Sequence, residues 1–211
     1  MPFTDPSPEK LALRARLRGI RQGIPASTRK LAGRAITRLA LRHRLLAGKR
    51  RLGLYIPAKG ELDCLPLLDR ALWLGVACYL PVVPYARQRM LWFTRLGAGP
   101  HWRHNRYGIP EYGHRGLDRI RAANLDILFL PLLGFDDAGY RMGMGGGYYD
   151  ASLAFLSRRR HWRRPRLIGL AFEAQRVTRL PIDPWDIPLD GVLTERRYHR
   201  FSSGSVPPPR N

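Results

Sequence analysis

The chain has 211 residues, and 37 lysines and arginines against 16 aspartates and glutamates give it a formal net charge of +21. That charge favours anionic partners, whether nucleic acid, an anionic membrane surface or small phosphorylated and carboxylated ligands. With 45% hydrophobic and 25% charged residues, the composition excludes wholesale disorder. The length fits one α/β domain, which we expect to span residues 1–201.

Cysteine content and hydropathy bear on where the protein works. Cys64 and Cys78 are too few for a disulfide framework or a structural zinc site. The N-terminus lacks a signal-like apolar core, and no run of about twenty apolar residues occurs. We therefore expect a cytoplasmic protein without a membrane partner, and we favour a monomer. Most basic residues are interpreted as solvated surface, and the cluster Arg158 to Arg166 as an anion patch away from the active site.

The first part of the chain predicts a basic helical hairpin over residues 8–48, interrupted by QGIPAS and packed on the rest of the domain. The first helix has an apolar stripe at helical spacing formed by Leu11, Leu13, Leu17 and Ile20. The second, over 26–46, has Ser27 or Thr28 as its candidate cap and a stripe formed by Leu31, Ile36, Leu39 and Leu46.

The α/β part begins at Arg51. Strands are predicted at residues 51–57, 76–83, 90–96, 127–132, 167–172 and 191–194, and helices at 65–75 and 148–158. Residues 97–117, rich in glycine, are predicted to be a long surface loop, and residues 202–211 a disordered tail. Because strands alternate with helices, we predict an α/β fold of three layers, with a mostly parallel sheet and helices on both faces.

The most informative motif is RMGMGGGYYD, residues 141–150, between a predicted strand and a predicted helix. Glycines let an anion approach the backbone amides, and the first turn of a helix offers unpaired N–H groups to phosphate. Arg141 adds a cation, and Asp150 can hold a divalent cation. The motif matches neither G-x-G-x-x-G nor the P-loop pattern. A flexible hinge or a turn without a ligand remains the alternative.

Three loops are predicted to meet at one edge of the sheet. Residues 55–61, the glycine loop and residues 172–175 each follow a predicted parallel strand. Ligands of open α/β sheets bind at the carboxyl ends of the strands. This topology predicts that the loops together form the site.

Taken together, six motifs in one order resemble 5-formyltetrahydrofolate cyclo-ligase, also called methenyltetrahydrofolate synthetase. The resemblance covers residues 10–195, and its motifs are KLALR, YIPAKGELD, YGIPE, LLGFDDAGYRMGMGGGYYD, IGLAFEAQ and DPWDIPLDGVLTE. It implies ATP- and Mg-dependent closure of 5-formyltetrahydrofolate to 5,10-methenyltetrahydrofolate, with release of ADP and phosphate. The γ-phosphoryl group would pass to the formyl oxygen, so alignment and charge neutralisation would carry the catalysis.

The resemblance also assigns nucleotide-binding residues. Lys10 and Arg14, one helical turn apart, match a nucleotide-binding Lys-x-x-x-Arg, and Lys10 and Arg141 would be catalytic. Several relatives have lysine in place of Gly146, which shifts phosphate contacts here to backbone amides and the remaining cations. The ATP-binding set is Lys10, Arg14, Arg141, Met142, Gly143, Met144, Gly145, Gly146, Gly147, Tyr148 and Tyr149.

Metal and folate positions follow from the same resemblance. Asp150 and Asp186 match magnesium-associated aspartates, and hard oxygen ligands suit that ion. Glu61 and Ile56 match positions that contact folate, a substrate that can be polyglutamylated. Tyr148 and Tyr149 either pack against the folate or support the loop, and Tyr148 is assigned to the substrate-binding set. Without the resemblance, Lys10 and Arg14 would be surface charges, Asp186 a turn residue, Glu61 an ordinary loop acid and Ile56 a core residue.

Two positions depart from the family pattern. Tyr112 stands where proline is usual, and Trp185 where histidine is frequent.

Two other functions stay open. A nucleic-acid-binding protein on the same fold would use the +21 charge and bind with a steep salt dependence, although we expect no specific nucleic-acid partner. A divergent ATP-dependent ligase would keep the loop and change its second substrate.

Overall fold

A computed structural model describes residues 7–58, 60–85, 88–97, 101–113, 119–158 and 164–201. Its helices are α1 (Pro8–Gln22), α2 (Ala26–Arg42), α3 (Leu65–Trp73) and α4 (Tyr148–Leu153). Its strands are β1 (Arg51–Gly53), β2 (Ala77–Val82), β3 (Trp92–Arg95), β4 (Trp102–His104), β5 (Pro110–Tyr112), β6 (Arg119–Ile120), β7 (Ile127–Pro131), β8 (Gly134–Phe135), β9 (Arg141–Met142), β10 (Arg166–Leu170), β11 (Gly191–Leu193) and β12 (Tyr198–Arg200). None of these helices combines the length and apolarity needed to cross a bilayer.

Eight strands form the central sheet, in the order β12-β11-β10-β7-β1-β2-β3-β6. The five inner strands from β11 to β2 run parallel, whereas β12 and β3 are antiparallel to their inner neighbours. Helices α2 and α3 pack their apolar side chains on one face, and α4 packs on the other. The predicted three-layer α/β fold with a mostly parallel sheet is therefore confirmed.

The N-terminal helices differ from the predicted hairpin in what they bury. Leu11, Ile20 and Leu31, all assigned to apolar stripes, are exposed. Helix α1 instead buries Lys10, Leu17 and Arg21. Its apolar side chains join a cluster with Leu133, Tyr140, Met142 and Leu180, whereas α2 joins the main core on α3. The two helices thus pack on different parts of the domain.

Helix ends also differ from the prediction. Helix α2 begins at Ala26 after Pro25, with no side-chain cap from Ser27 or Thr28. Helix α1, in contrast, has a side-chain cap: the Ser7 Oγ accepts a hydrogen bond from the Lys10 amide at 3.3 Å. The helix predicted at 148–158 is α4 for six residues and then a 3₁₀ turn, Ala154–Arg158.

The predicted surface loop 97–117 contains a hairpin in its described part. Strands β4 and β5 pair antiparallel, and Tyr112 is 1% exposed within the core. The buried Glu111 carboxylate accepts hydrogen bonds from the Val83 amide at 2.7 Å and from Asn105 Nδ2 at 3.0 Å. Tyr112 in place of proline therefore serves packing. The predicted tail 202–211 and residues 159–163 of the basic cluster lie outside the described residues.

Candidate functional site

Helix α1 lies over the carboxyl edge of the sheet and contacts all three loops that were predicted to converge. It packs against the 3₁₀ turn Glu173–Gln175 after β10. Its Arg21 guanidinium lies 3.5 Å from Glu61, in the loop after β1. Its Arg14 guanidinium approaches the glycine loop at Gly145. The site is therefore built from one helix and three strand ends.

The glycine loop leaves the short β8–β9 hairpin and enters α4. Gly145 has φ of +97°, and Gly147, the N-cap of α4, has φ of +66°, so both backbone conformations favour glycine. A Cβ at Gly143 would meet no atom within 4 Å, whereas one at Gly146 would lie 3.0 Å from the Tyr148 ring. The loop therefore exposes bare backbone beside the N-terminus of a helix.

The cations of α1 face this loop and a neighbouring acidic segment. Lys10 Nζ lies 2.5 Å from Asp183 Oδ2 and 3.8 Å from Asp186 Oδ2, and Lys10 is 8% exposed. Arg14 Nε is buried and has no hydrogen-bond partner within the described part of the chain. A buried guanidinium N–H without a partner is costly, so this donor fits an absent anionic ligand.

Arg141 and Asp150 form a second ion pair at the same place. Arg141 NH2 lies 2.5 Å from Asp150 Oδ1, and its NH1 donates to the Ile187 carbonyl at 2.8 Å. The Arg141 side chain is 7% exposed, whereas that of Asp150 is 38% exposed. Burial raises the pKa of Asp186; the Asp183 amide and Lys10 oppose that rise, and the neighbouring Asp150 and Asp183 carboxylates add to it.

Of the proposed folate positions, Glu61 contacts α1 through Arg21. Glu61 accepts a hydrogen bond from the Ala58 amide at 3.0 Å and pairs with Arg21. Burial raises the pKa of Glu61, and the Ala58 amide and Arg21 oppose that rise. Burial raises the pKa of both Tyr55 and Tyr149, which lie beside Glu61. Ile56 is half-buried against the main core.

A cleft of about 580 Å³ opens beside the glycine loop. At its wall the Tyr148 hydroxyl lies 2.8 Å from the Tyr107 hydroxyl and accepts a hydrogen bond from Arg106. The lining residues are Gln88, Arg89, Arg106, Tyr107, Gly145, Gly146 and Tyr148. The long-loop motif and the glycine loop thus share one basic cleft.

The donor set around Asp150 and Asp186 fits magnesium without forming a closed metal cage. No group of three or more potential metal-binding side chains occurs among the residues that the structure describes. Magnesium is commonly held by only one or two carboxylates, with water and phosphate oxygens completing its shell. Asp150 and Asp186 would therefore be sufficient beside a bound triphosphate.

Sequence reasoning overlooked several residues that shape this site. Asp183 pairs with Lys10, and Arg21 with Glu61. Gln175 donates from Nε2 to the carbonyls of Leu132 and Leu133 at 2.8 and 3.0 Å, which fixes the start of the loop after β7. For Arg21 the available signal was its position on one helix face with Lys10, Arg14 and Leu17, whereas no helix spacing could indicate Asp183 or Gln175.

Comparisons with known proteins identify the family of this chain. A model of the 5-formyltetrahydrofolate cyclo-ligase family matches residues 6–195. The chain is 33% identical over 185 residues to 5-formyltetrahydrofolate cyclo-ligase from Haemophilus influenzae, covering 86% of this chain and 95% of that protein. It is 34% identical over 146 residues to the Escherichia coli K12 enzyme, covering 68% and 76%.

Solved structures agree as well. The NMR structure of Aquifex aeolicus 5,10-methenyltetrahydrofolate synthetase superposes with a TM-score of 0.74 at 29% identity, covering 92% of this chain and 94% of that one. A synthetase from Mycoplasma pneumoniae shares the fold with a TM-score of 0.66 at 22% identity. The chain is therefore an enzyme of the 5-formyltetrahydrofolate cyclo-ligase family.

Proposed function

We propose that this enzyme closes 5-formyltetrahydrofolate to 5,10-methenyltetrahydrofolate with ATP and magnesium, releasing ADP and phosphate, and that it works in the cytoplasm. In this reaction the formyl oxygen accepts the γ-phosphoryl group, N10 of the folate attacks the formyl carbon, and that oxygen leaves with the phosphate. Two buried, unpaired cysteines accord with a reducing compartment. The second substrate is a reduced folate, with one or several glutamates.

One observation carries the proposal: a single helix brings Lys10 onto Asp183, Arg14 onto the glycine loop at Gly145, and Arg21 onto Glu61. The two halves of a two-substrate site therefore share one wall. A phosphoryl transfer of this kind needs alignment of donor and acceptor more than it needs a protein nucleophile. A triphosphate fits the open space beside the Gly143 backbone and the Arg14 Nε, which has no hydrogen-bond partner among the described residues.

The pairing of cations with carboxylates suits a metal–nucleotide complex. Lys10 holds Asp183 and lies near Asp186, and Arg141 holds Asp150. Phosphate oxygens would take over the cations, while the carboxylates would hold magnesium. Magnesium, when bound, supplies positive charge to the phosphate oxygens. The site then exchanges one set of ion pairs for another and leaves no buried charge unmatched.

Lys10 and Arg141 would neutralise the charge that spreads over the transferring group. Both are largely buried, with exposed side-chain fractions of 10% and 7%, so their fields are weakly screened by water. Glu61 would accept hydrogen bonds from the amide and amino groups of the pterin and fix its orientation. Ile56 and the Tyr148 ring would supply apolar contact beside it.

Turnover of the purified protein tests the proposal. We expect the absorbance of the methenyl product to appear only when 5-formyltetrahydrofolate, ATP and magnesium are all present, with one phosphate released per product. Replacing ATP by ADP, or omitting magnesium, should stop the reaction. Absence of product in the complete mixture would contradict the proposal, and nucleotide hydrolysis dependent on a different acceptor would indicate a divergent ligase.

A further inference from the structure

Arg21 occupies an unusual position for an arginine on a surface helix. Its side chain is 2% exposed, although most residues of α1 are exposed. Its NH1 lies 3.5 Å from Glu61 Oε1, and its NH2 lies 3.6 Å from the Met144 sulfur in the glycine loop. The guanidinium therefore contacts residues from both halves of the site.

The loop that carries Glu61 is fitted to the same helix end. Gly60 has φ of +80°, and a Cβ there would lie 3.5 Å from the Arg21 carbonyl. The Ala58 amide holds Glu61 Oε2 at 3.0 Å, which leaves Oε1 for Arg21. The carboxylate is thus held between its own loop and α1.

We propose that Arg21 is a positioning residue, which holds the Glu61 carboxylate in the orientation that receives the pterin. This inference rests on the proposed function. Burying a carboxylate favours its neutral form, which cannot accept two hydrogen bonds from the pterin. Of the groups facing Glu61 in the described residues, Tyr55, Cys64 and Tyr149 are kept neutral by burial, and Arg21 is a cation.

The direct test compares Arg21→Gln, Arg21→Lys and the parent by steady-state kinetics. We expect Arg21→Gln to raise KM for 5-formyltetrahydrofolate roughly tenfold or more, since removing one partner of a buried ion pair is costly. KM for ATP should change less than about threefold, because the Met144 atom that Arg21 contacts in the nucleotide loop is a thioether sulfur, a weak acceptor. Arg21→Lys should recover part of the loss. Arg16→Gln, an exposed neighbour on the same helix, serves as the matched control.

Two further readouts separate positioning from a purely structural role. With Arg21→Gln the acid limb of kcat/KM for the folate should move to higher pH, because the burial that raises the pKa of Glu61 is then less opposed. In a Glu61→Gln background, adding Arg21→Gln should lower kcat/KM for the folate by less than about twofold more, because the two residues act as a unit. Equal losses in both backgrounds, or an unmoved acid limb, would overturn the inference.

The outcomes also distinguish the two proposals. If the parent gives no turnover, the proposed function fails, and Arg21 can still be judged from the dissociation constant of 5-formyltetrahydrofolate. If Arg21→Gln does not fold, as judged by thermal melting, Arg21→Met, which also removes the cation, takes its place. A parental KM and a parental acid limb in Arg21→Met at half or less of the parental unfolding free energy would show a structural role and overturn the inference.

Discussion

Two charged clusters near the same end of the sheet contain similar residue types but differ in accessibility. The nucleotide-side cluster consists of Lys10, Arg141, Asp150, Asp183 and Asp186. The Glu173 cluster consists of Glu173, Thr194, Arg197 and His199. Glu173 Oε2 accepts from Thr194 Oγ1 at 2.7 Å and lies 2.9 Å from His199 Nε2, and its side chain is 13% exposed. Asp150 and Asp183 have side chains that are 38% exposed.

This difference separates a scaffold from a candidate site. In the Glu173 cluster a carboxylate is surrounded by internal donors, so no ligand could gain much by approaching it. In the nucleotide-side cluster the cations are buried and their carboxylate partners face solvent, so each pair can be exchanged for a ligand and a metal. Accessibility of the carboxylates, more than the number of charges, identifies the functional cluster.

The largest expected effect is on the Arg141–Asp150 pair. Arg141→Ala or Asp150→Ala should lower kcat/KM by roughly a hundredfold or more, because Arg141 would neutralise charge in the transition state and Asp150 would hold the magnesium that does the same. Steady-state turnover with saturating magnesium measures this loss of kcat/KM. The matched control is Arg176→Ala, which breaks an exposed pair with Asp137 at 2.7 Å and should leave turnover unchanged. A similar loss of turnover in Arg176→Ala and in the Arg141 and Asp150 variants would erase the distinction between the clusters.

The Glu173 cluster should respond in stability and not in chemistry. Glu173→Gln replaces a carboxylate that accepts two short hydrogen bonds, so the free energy of unfolding should fall by about 2 kcal/mol. Turnover per folded molecule should stay within about twofold of the parent. Denaturant melts beside activity assays measure both. A lost activity with normal melting would assign this cluster to the active site.

Because of the same carboxylate, we expect the stability of the fold to fall in acid. Burial alone would raise the pKa of Glu173, but hydrogen bonds from His199 and Thr194 outweigh it and lower that pKa. A carboxylate with a lowered folded-state pKa stabilises the fold above its unfolded pKa and loses that contribution as pH falls through the folded value. The stability difference between parent and Glu173→Gln should therefore shrink in acid, below the ordinary pKa of glutamate. A difference that stays constant with pH would contradict this.

A substitution in the glycine loop should have a smaller effect, which we expect on KM for ATP. Gly143 has open space around its Cα, so Gly143→Ala should leave the unfolding free energy nearly unchanged. If phosphate oxygens approach this backbone, the added methyl should raise KM for ATP roughly tenfold, about 1.4 kcal/mol. Gly19→Ala on α1, also with open space, is the control and should add about 0.5–1 kcal/mol of stability with normal KM. A normal KM in Gly143→Ala would favour a hinge without a ligand.

The sequence predicted the core of this fold better than its margins. Continuous apolar runs identify the inner parallel strands, and the alternation with helices identifies the layers. Strands β6, β8, β9 and β12 have only two or three residues, too few to show a period. Strand β3 follows β2 across residues 83–91, a connection too short for a parallel crossover, and this explains its antiparallel direction.

Within the candidate site, motifs located the loops but not the face of α1. Leu11, Leu13, Leu17 and Ile20 suggested an apolar stripe, yet Leu11 and Ile20 are exposed. The buried face carries Lys10 and Arg21 because ion partners from distant loops satisfy them. Such partners lie 40 to 173 residues away in sequence, so periodicity could not reveal them. The resemblance gave Lys10 a role, whereas Asp183 lay within the motif DPWDIPLDGVLTE without an assigned role.

The smallest expected effect concerns magnesium and pH. Burial and the neighbouring Asp150 and Asp183 carboxylates raise the pKa of Asp186, so protons compete with a metal there. Raising magnesium from limiting to saturating should move the acid limb of turnover to lower pH by less than about one unit, because a bound cation favours the ionised carboxylate.

Asp186→Asn should abolish the shift of the acid limb that magnesium causes. Asp137→Asn, at the exposed pair with Arg176, should retain that shift. Thermal melting gives a second measurement. A carboxylate with a raised folded-state pKa contributes stability below its unfolded pKa and loses it as pH rises through the folded value, and a cation would offset that loss. Magnesium should therefore raise the melting temperature more at neutral pH than in acid. An equal rise at both pH values, or in both variants, would place the metal away from the acidic half of the nucleotide-side cluster, and the contrast with the Glu173 cluster would then rest on Arg141 and Lys10 alone.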